Sequence, residues 1–142
     1  ACLRHHSSVP HGDSVAKLGR LGCAAAPDWV LPSSIAAAAL LAKSCSPGTR
    51  VLASAGPGVF EALAACGLEA VREGPAEAVV VGFHREFDFD DLDRTARLVR
   101  EGDRFIATNT DATYPIPNGL LPGTVAILAA VSVASGAVHA IS

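Results

Sequence analysis

Ala78-Val79-Val80-Val81 is an unbroken apolar run. Such a run, unlike an alternating one, fits a strand covered on both faces, as in a parallel sheet. Downstream of it, Asp88, Asp90 and Asp91 open a segment that Arg97 and Arg100 close, with Leu92, Ala96 and Val99 recurring on one face and Gly102 as the stop. Acids at the start and bases at the end both complement a helix dipole, so this is the best-marked helix of the chain. Asp90 with Arg94 and Asp93 with Arg97 stand at i,i+4 spacing for ion pairs. Arg104-Phe105-Ile106-Ala107 reads as the next strand. Upstream, residues 51–53 read as a strand, 57–66 as a helix closed by Gly67, 68–71 as a second strand and Gly74-Pro75 as a turn. Strand and helix alternating from 50 to 107 give an α/β layer with a mainly parallel sheet.

Further out the signals are weaker. Ser33 and Ser34, after Pro32, offer an N-cap to an Ala-rich helix over 35–43 that Pro47-Gly48 ends. Ser14 can cap a short helix over 14–21, with Val15, Leu18 and Leu21 on one face and Gly22 as the stop. Residues 1–13 lack periodicity and are expected to be irregular. After Ala107 a loop is expected over 108–119, and a last helix follows Pro122-Gly123-Thr124 and runs through Ser132 to Gly136.

With 142 residues, half of them hydrophobic, the chain is one domain's worth of sequence with enough apolar content for a core, which excludes a disordered protein. No apolar run approaches the roughly 18 residues of a membrane span and no basic start precedes an apolar stretch, so a soluble, cytoplasmic protein with no membrane partner is expected. Eleven basic against fourteen acidic residues give a net charge of -3, and no basic stripe with interleaved aromatics is present. Nucleic acid is therefore not an expected partner. Cys2, Cys23, Cys45 and Cys66 form no Cys-x-x-Cys pair, so neither a zinc knuckle nor a redox motif is expected.

Thr108-Asn109-Thr110-Asp111 follows the strand Arg104–Ala107, where α/β sheets bind ligands, and its side chains supply donors and an acceptor. The same Asn109 and Asp111 could equally make Asx turns ahead of Pro115 and Pro117. Gly56-Pro57-Gly58-Val59 resembles the start of a dinucleotide loop, but Glu61 stands at the third glycine position, and a tight strand-to-helix turn with Pro57 in the first helical turn fits better. Asp88-Phe89-Asp90 and Asp91-Leu92-Asp93 have the spacing of an aspartyl nucleophile and its partner. Their place at a helix start favours capping instead. His5, His6 and His11 complete no metal spacing with a carboxylate or thiol, and His84 and His139 stand alone.

Three stretches carry a family resemblance: Ala78-Val79-Val80-Val81-Gly82-Phe83-His84-Arg85-Glu86-Phe87, Arg104-Phe105-Ile106-Ala107-Thr108-Asn109-Thr110-Asp111, and Gly119-Leu120-Leu121-Pro122-Gly123-Thr124-Val125-Ala126. They resemble the haloacid dehalogenase superfamily, subclass IIA, the NagD or nitrophenylphosphatase type, strongly over 47–136 and more weakly over 1–46. The resemblance implies a Rossmann-like three-layer α/β cap domain with a mainly parallel sheet and flanking helices. Residues 1–46 would be a flanking helical segment resembling part of the phosphatase core, 47–120 the cap domain and 121–142 a returning helix. It also implies that the catalytic aspartates would precede Ala1, and the lysine and magnesium-binding motifs follow Ser142, so that the chain alone has neither catalytic residues nor its own cofactor, magnesium belonging to the complete enzyme.

Arg4-His5-His6-Ser7 stands where the family's second motif reads Thr-Asn-Asn-Ser, His84 where Asp is frequent and Val125 where Gly is usual. Thr108, Asn109 and Asp111 are the positions carried over, as loop residues turned toward substrate or core. The implied partners are a phosphorylated small molecule and either the missing core or a second copy covering the helices at 14–21, 35–43 and 124–135. The loop 108–111 is expected to be exposed.

Overall fold

The computed structural model describes residues 2–4, 11–20, 30–102, 104–137 and 140–141. His5, His6, Ser7, Leu21, Gly22, Cys23 and His139 lie outside the described residues, as do the side chains of Arg4, His11, Val15 and Leu18.

The strand at Ala78–Val81 (β5) lies in a five-stranded parallel sheet of order β4-β3-β5-β6-β9, with β3 Arg50–Ser54, β4 Glu69–Val71, β6 Arg104–Ala107 and β9 Ala140–Ile141. All four β5 side chains are 0% exposed. Period-2 alternation sends neighbouring residues to opposite faces. Val51, Ala53, Ala78, Val80 and Ile106 meet α2 (Ser33–Ala42) and α3 (Pro57–Ala65) through Ala37, Leu41, Val59 and Leu63. Leu52, Val79, Val81, Phe105 and Ala107 meet α4 (Phe89–Arg100) and α5 (Thr124–Ser135) through Val99, Ile127, Leu128 and Val131. Each buried valine contributes about 1.5–3 kcal/mol of transfer free energy, so two covered faces make the sheet the stable centre of the fold. The three-layer α/β reading of the sequence is realised.

Helix α4 forms as its charges require. The Asp88 carboxylate accepts from the Asp91 N–H at 2.8 Å, Asp90 and Asp91 occupy the first turn, and Arg97 and Arg100 the last. Asp93 and Arg97 pair at 2.6 Å, but Arg94 takes Asp91 one turn back in place of Asp90. In α3, Pro57 sits in the first helical turn behind an extended Gly56, the tight turn expected there.

The sequence reading needs correction at several elements. Helix α2 starts at Ser33 with Pro32 as N-cap and no side-chain cap, so Ser33 and Ser34 are buried first-turn residues. Helix α1 spans His11–Arg20, which puts Ser14 inside it. The expected irregular start contains β1, Cys2–Arg4, paired in parallel with β2, Val30–Pro32. The expected loop over 108–119 holds a strand, and β7 (Thr113–Ile116) and β8 (Gly119–Pro122) form an antiparallel hairpin. Pro117 and Asn118 make its turn, and Gly119 at φ 137 takes a conformation that side chains oppose. On α5, a helix expected to be covered by a core or a second copy, Ile127, Leu128 and Val131 are buried in the second core because α5 folds back on the sheet.

Leu63→Ala should lower the unfolding free energy by about 2–5 kcal/mol in a denaturant titration, because Leu63 is 0% exposed under α2 and the sheet. Val133→Ala, on the outer face of α5 at 85% exposure, should change it by under about 0.5 kcal/mol. Equal effects would contradict the layered packing.

Candidate functional site

Because β3, β5 and β6 run parallel, their carboxyl ends share one edge of the sheet, where α/β folds open toward ligands. The ladder continues past the strands there: Gly82 N–H donates to Ser54 O at 3.0 Å and Thr108 N–H to Val81 O at 3.0 Å. Thr108 and Asn109 are 1% and 5% exposed, which corrects the expectation of an exposed loop; Thr110 and Asp111 are exposed. The polar segment enters the interior because its groups are paired. Asn109 Oδ1 accepts from the Asp111 N–H at 3.3 Å, the Asx-turn alternative. The Asp111 carbonyl accepts from the Val125 N–H at 3.2 Å, and Ala112 O from the Gly123 N–H at 2.9 Å. The loop's carbonyls thus occupy orphan donors at the start of α5.

Gly123 makes that approach feasible. A Cβ on it would strike the Asp111 carbonyl oxygen and lie 2.9 Å from the Asp111 carbonyl carbon and 3.0 Å from that of Ala112. The glycine of this turn is a steric requirement.

Beside the loop lies a cleft of about 280 Å³ lined by Gly56 and Pro57 from the start of α3, Phe83–Glu86 from the β5–α4 connection, and Tyr114, Ile116 and Leu121 from the hairpin. Tyr114 and Leu121 pair across the strands, and Ile116 shares their face. The Phe83 and Tyr114 rings stack at 4.9 Å and 5°, joining the hairpin to the sheet edge. Thr108, Asn109 and Asp111 are not among the lining residues; the first two are buried and Asp111 is exposed.

His84 does not stand alone. Its ring is buried, with Nδ1 3.2 Å from Gly82 O, Nε2 3.6 Å from Asp91 Oδ2 and the edge of Phe87 5.7 Å away between centroids. Asp91 Oδ1 accepts from Arg94 at 2.6 Å. That hydrogen bond raises the Arg94 pKa above its ordinary value, with the Asp91 charge adding and burial opposing. Of the four carboxylates with nucleophile-like spacing, Asp88 caps α4, Asp90 sits in its first turn, Asp91 pairs with Arg94 and Asp93 pairs with Arg97. Among the described residues, no three His, Cys, Asp or Glu side chains converge to hold a metal.

The hairpin half of the cleft escaped the sequence reading. Its signal was Asn118-Gly119 between Tyr114-Pro115-Ile116 and Leu120-Leu121, a turn dipeptide between apolar runs.

No protein-family model matches the chain. Over 134 residues, 94% of its length, it is 36% identical to the acid sugar phosphatase of Staphylococcus saprophyticus. Over 136 residues it is 38% identical to the D-glycerol 3-phosphate phosphatase of Mycobacterium tuberculosis. The crystal structure of the glycerol phosphate phosphatase of Mycobacterium tuberculosis in complex with magnesium superposes with a TM-score of 0.94 at 33% identity, covering 98% of this chain and 43% of that one. Over nearly its whole length the chain is thus similar to part of these phosphatases. It spans 51% and 38% of the two curated relatives. Among the described residues, no helix is long and apolar enough to cross a membrane.

Asn109→Ala should cost about 1–3 kcal/mol of stability by leaving the Asp111 N–H without its acceptor. Gly123→Ala should cost a similar amount, about 1–3 kcal/mol, through overpacking against Asp111. Thr110→Ala, at an exposed position, should stay within about 0.5 kcal/mol. Thermal melts of the three variants check the order, and a neutral Gly123→Ala would contradict the close approach.

Proposed function

We propose that the chain is the substrate-specificity cap region of a magnesium-dependent phosphomonoester phosphatase, with residues 47–120 as the cap domain and 1–46 and 121–142 as its flanks. The observation that carries this reading is the alignment of 94% of the chain with about half of an acid sugar phosphatase. The open cleft at the carboxyl edge supports it, since such an edge is where a substrate would be met. The substrate class is a phosphorylated small molecule. Asp111 would face that substrate or the core, while Thr108 and Asn109 hold the loop. Magnesium and the aspartyl nucleophile would come from the core, and the chain alone is catalytically silent.

A second reading, a docking module without catalysis, draws on Phe89 at 80% and Leu120 at 66% exposure, two large apolar side chains available to a core or a second copy.

Purified alone with magnesium, the chain should hydrolyse p-nitrophenyl phosphate no faster than buffer. Turnover that Asp88→Asn or Asp90→Asn abolishes would make the acidic cluster a catalytic site and overturn the proposal.

A further inference from the structure

The connection 82–88 forms one wall of the cleft, yet it is neither helix nor strand, so side chains must fix its course. His84 is the most deeply engaged of them, with a side chain only 5% exposed. A buried polar ring needs its nitrogens satisfied. The Gly82 carbonyl can only accept, so Nδ1–H donates to it; Nε2 faces the Asp91 carboxylate. Asp91 is itself held at three points, its N–H on Asp88, one oxygen on Arg94 and the other toward His84. Nδ1 is thus committed to the Gly82 carbonyl, while Nε2 lies 3.6 Å from Asp91 Oδ2, a charge-pair distance.

We infer that His84 is a positioning residue, clamping the β5–α4 connection to the first turn of α4 and thereby holding its neighbour Phe83 in the stack on Tyr114 that forms the cleft wall. The clamp spans two layers: Gly82 leaves the sheet and Asp91 belongs to the helix, so the ring sets the distance between them. Phe87 meets the His84 ring edge-on and fills the remaining side. Phe83, next in the chain, is left to the hairpin, where its ring lies parallel to that of Tyr114. Losing the clamp frees the connection and separates the two rings. The inference rests on the cleft being the substrate-facing wall, but its geometry can be read without substrate.

Tyr114 is the single tyrosine of the chain, so ring-labelled tyrosine gives one set of NMR signals. Stacking on Phe83 should displace them upfield, and Phe83→Leu, which removes the stacked ring, defines the unstacked position. His84→Phe keeps the ring volume and removes both polar links; Asp91→Asn removes the charge that His84 faces while preserving size. Both should move the Tyr114 signals most of the way to the unstacked position, with circular dichroism unchanged. Asp93→Asn, which breaks a neighbouring ion pair on the same helix, should leave them in place. Where His84→Phe fails to fold, Asp91→Asn decides. Unmoved Tyr114 signals in a folded His84→Phe or Asp91→Asn chain would overturn the positioning role while leaving the phosphatase reading untouched.

Discussion

A strand with no exposed face is the constraint from which the rest follows. Because β5 is buried on both sides, the sheet needs a helical layer on each face, and α2 with α3 and α4 with α5 supply them. Parallel pairing of β3, β5 and β6 then gathers three strand ends at one edge, together with the start of α3 and the connections that leave β5 and β6. The site is a consequence of that packing, since each strand's last buried residue sets where the next polar one emerges.

At that edge the backbone divides the work. The connection after β6 is drawn inward because its carbonyls serve the start of α5, and the absence of a side chain on Gly123 allows the contact. Its polar residues are thereby committed to structure. The open surface passes to the β5–α4 connection and to the hairpin, where Phe83 and Tyr114 form the wall and Arg85 and Glu86 the charged rim. The Gly123 N–H to Ala112 O bond, one step beyond the Thr113–Pro122 pair, ties the loop to the base of the hairpin.

The elements with a strong one-dimensional signal were legible. Ala78–Val81 and Arg104–Ala107 have the same bounds in sequence and structure, and Asp88 caps α4 as its charge pattern implies. The short strands β1, β2 and β9 lie outside the strand–helix alternation of 50–107 and exist through pairing partners distant in the chain. The burial of Asn109 was illegible for a related reason: it depends on donors at the start of α5 that fold back from beyond the hairpin. His84 looked isolated because its partner Asp91 lies across a turn, in a helix whose acids already had a local explanation. The phosphatase kinship was legible in the motifs, whereas the cleft came from three segments that only the fold assembles.

The proposed role is that of a cap region that selects substrate for a phosphatase core. The direct measurement is a chimera in which residues 47–120 replace the aligned stretch of the Staphylococcus saprophyticus acid sugar phosphatase, assayed with magnesium against a panel of phosphomonoesters. Retained turnover with a reordered kcat/KM ranking is the predicted result, because a cap domain changes which leaving groups are bound while the core performs the chemistry. Retained turnover with the parent's ranking unchanged would contradict the account.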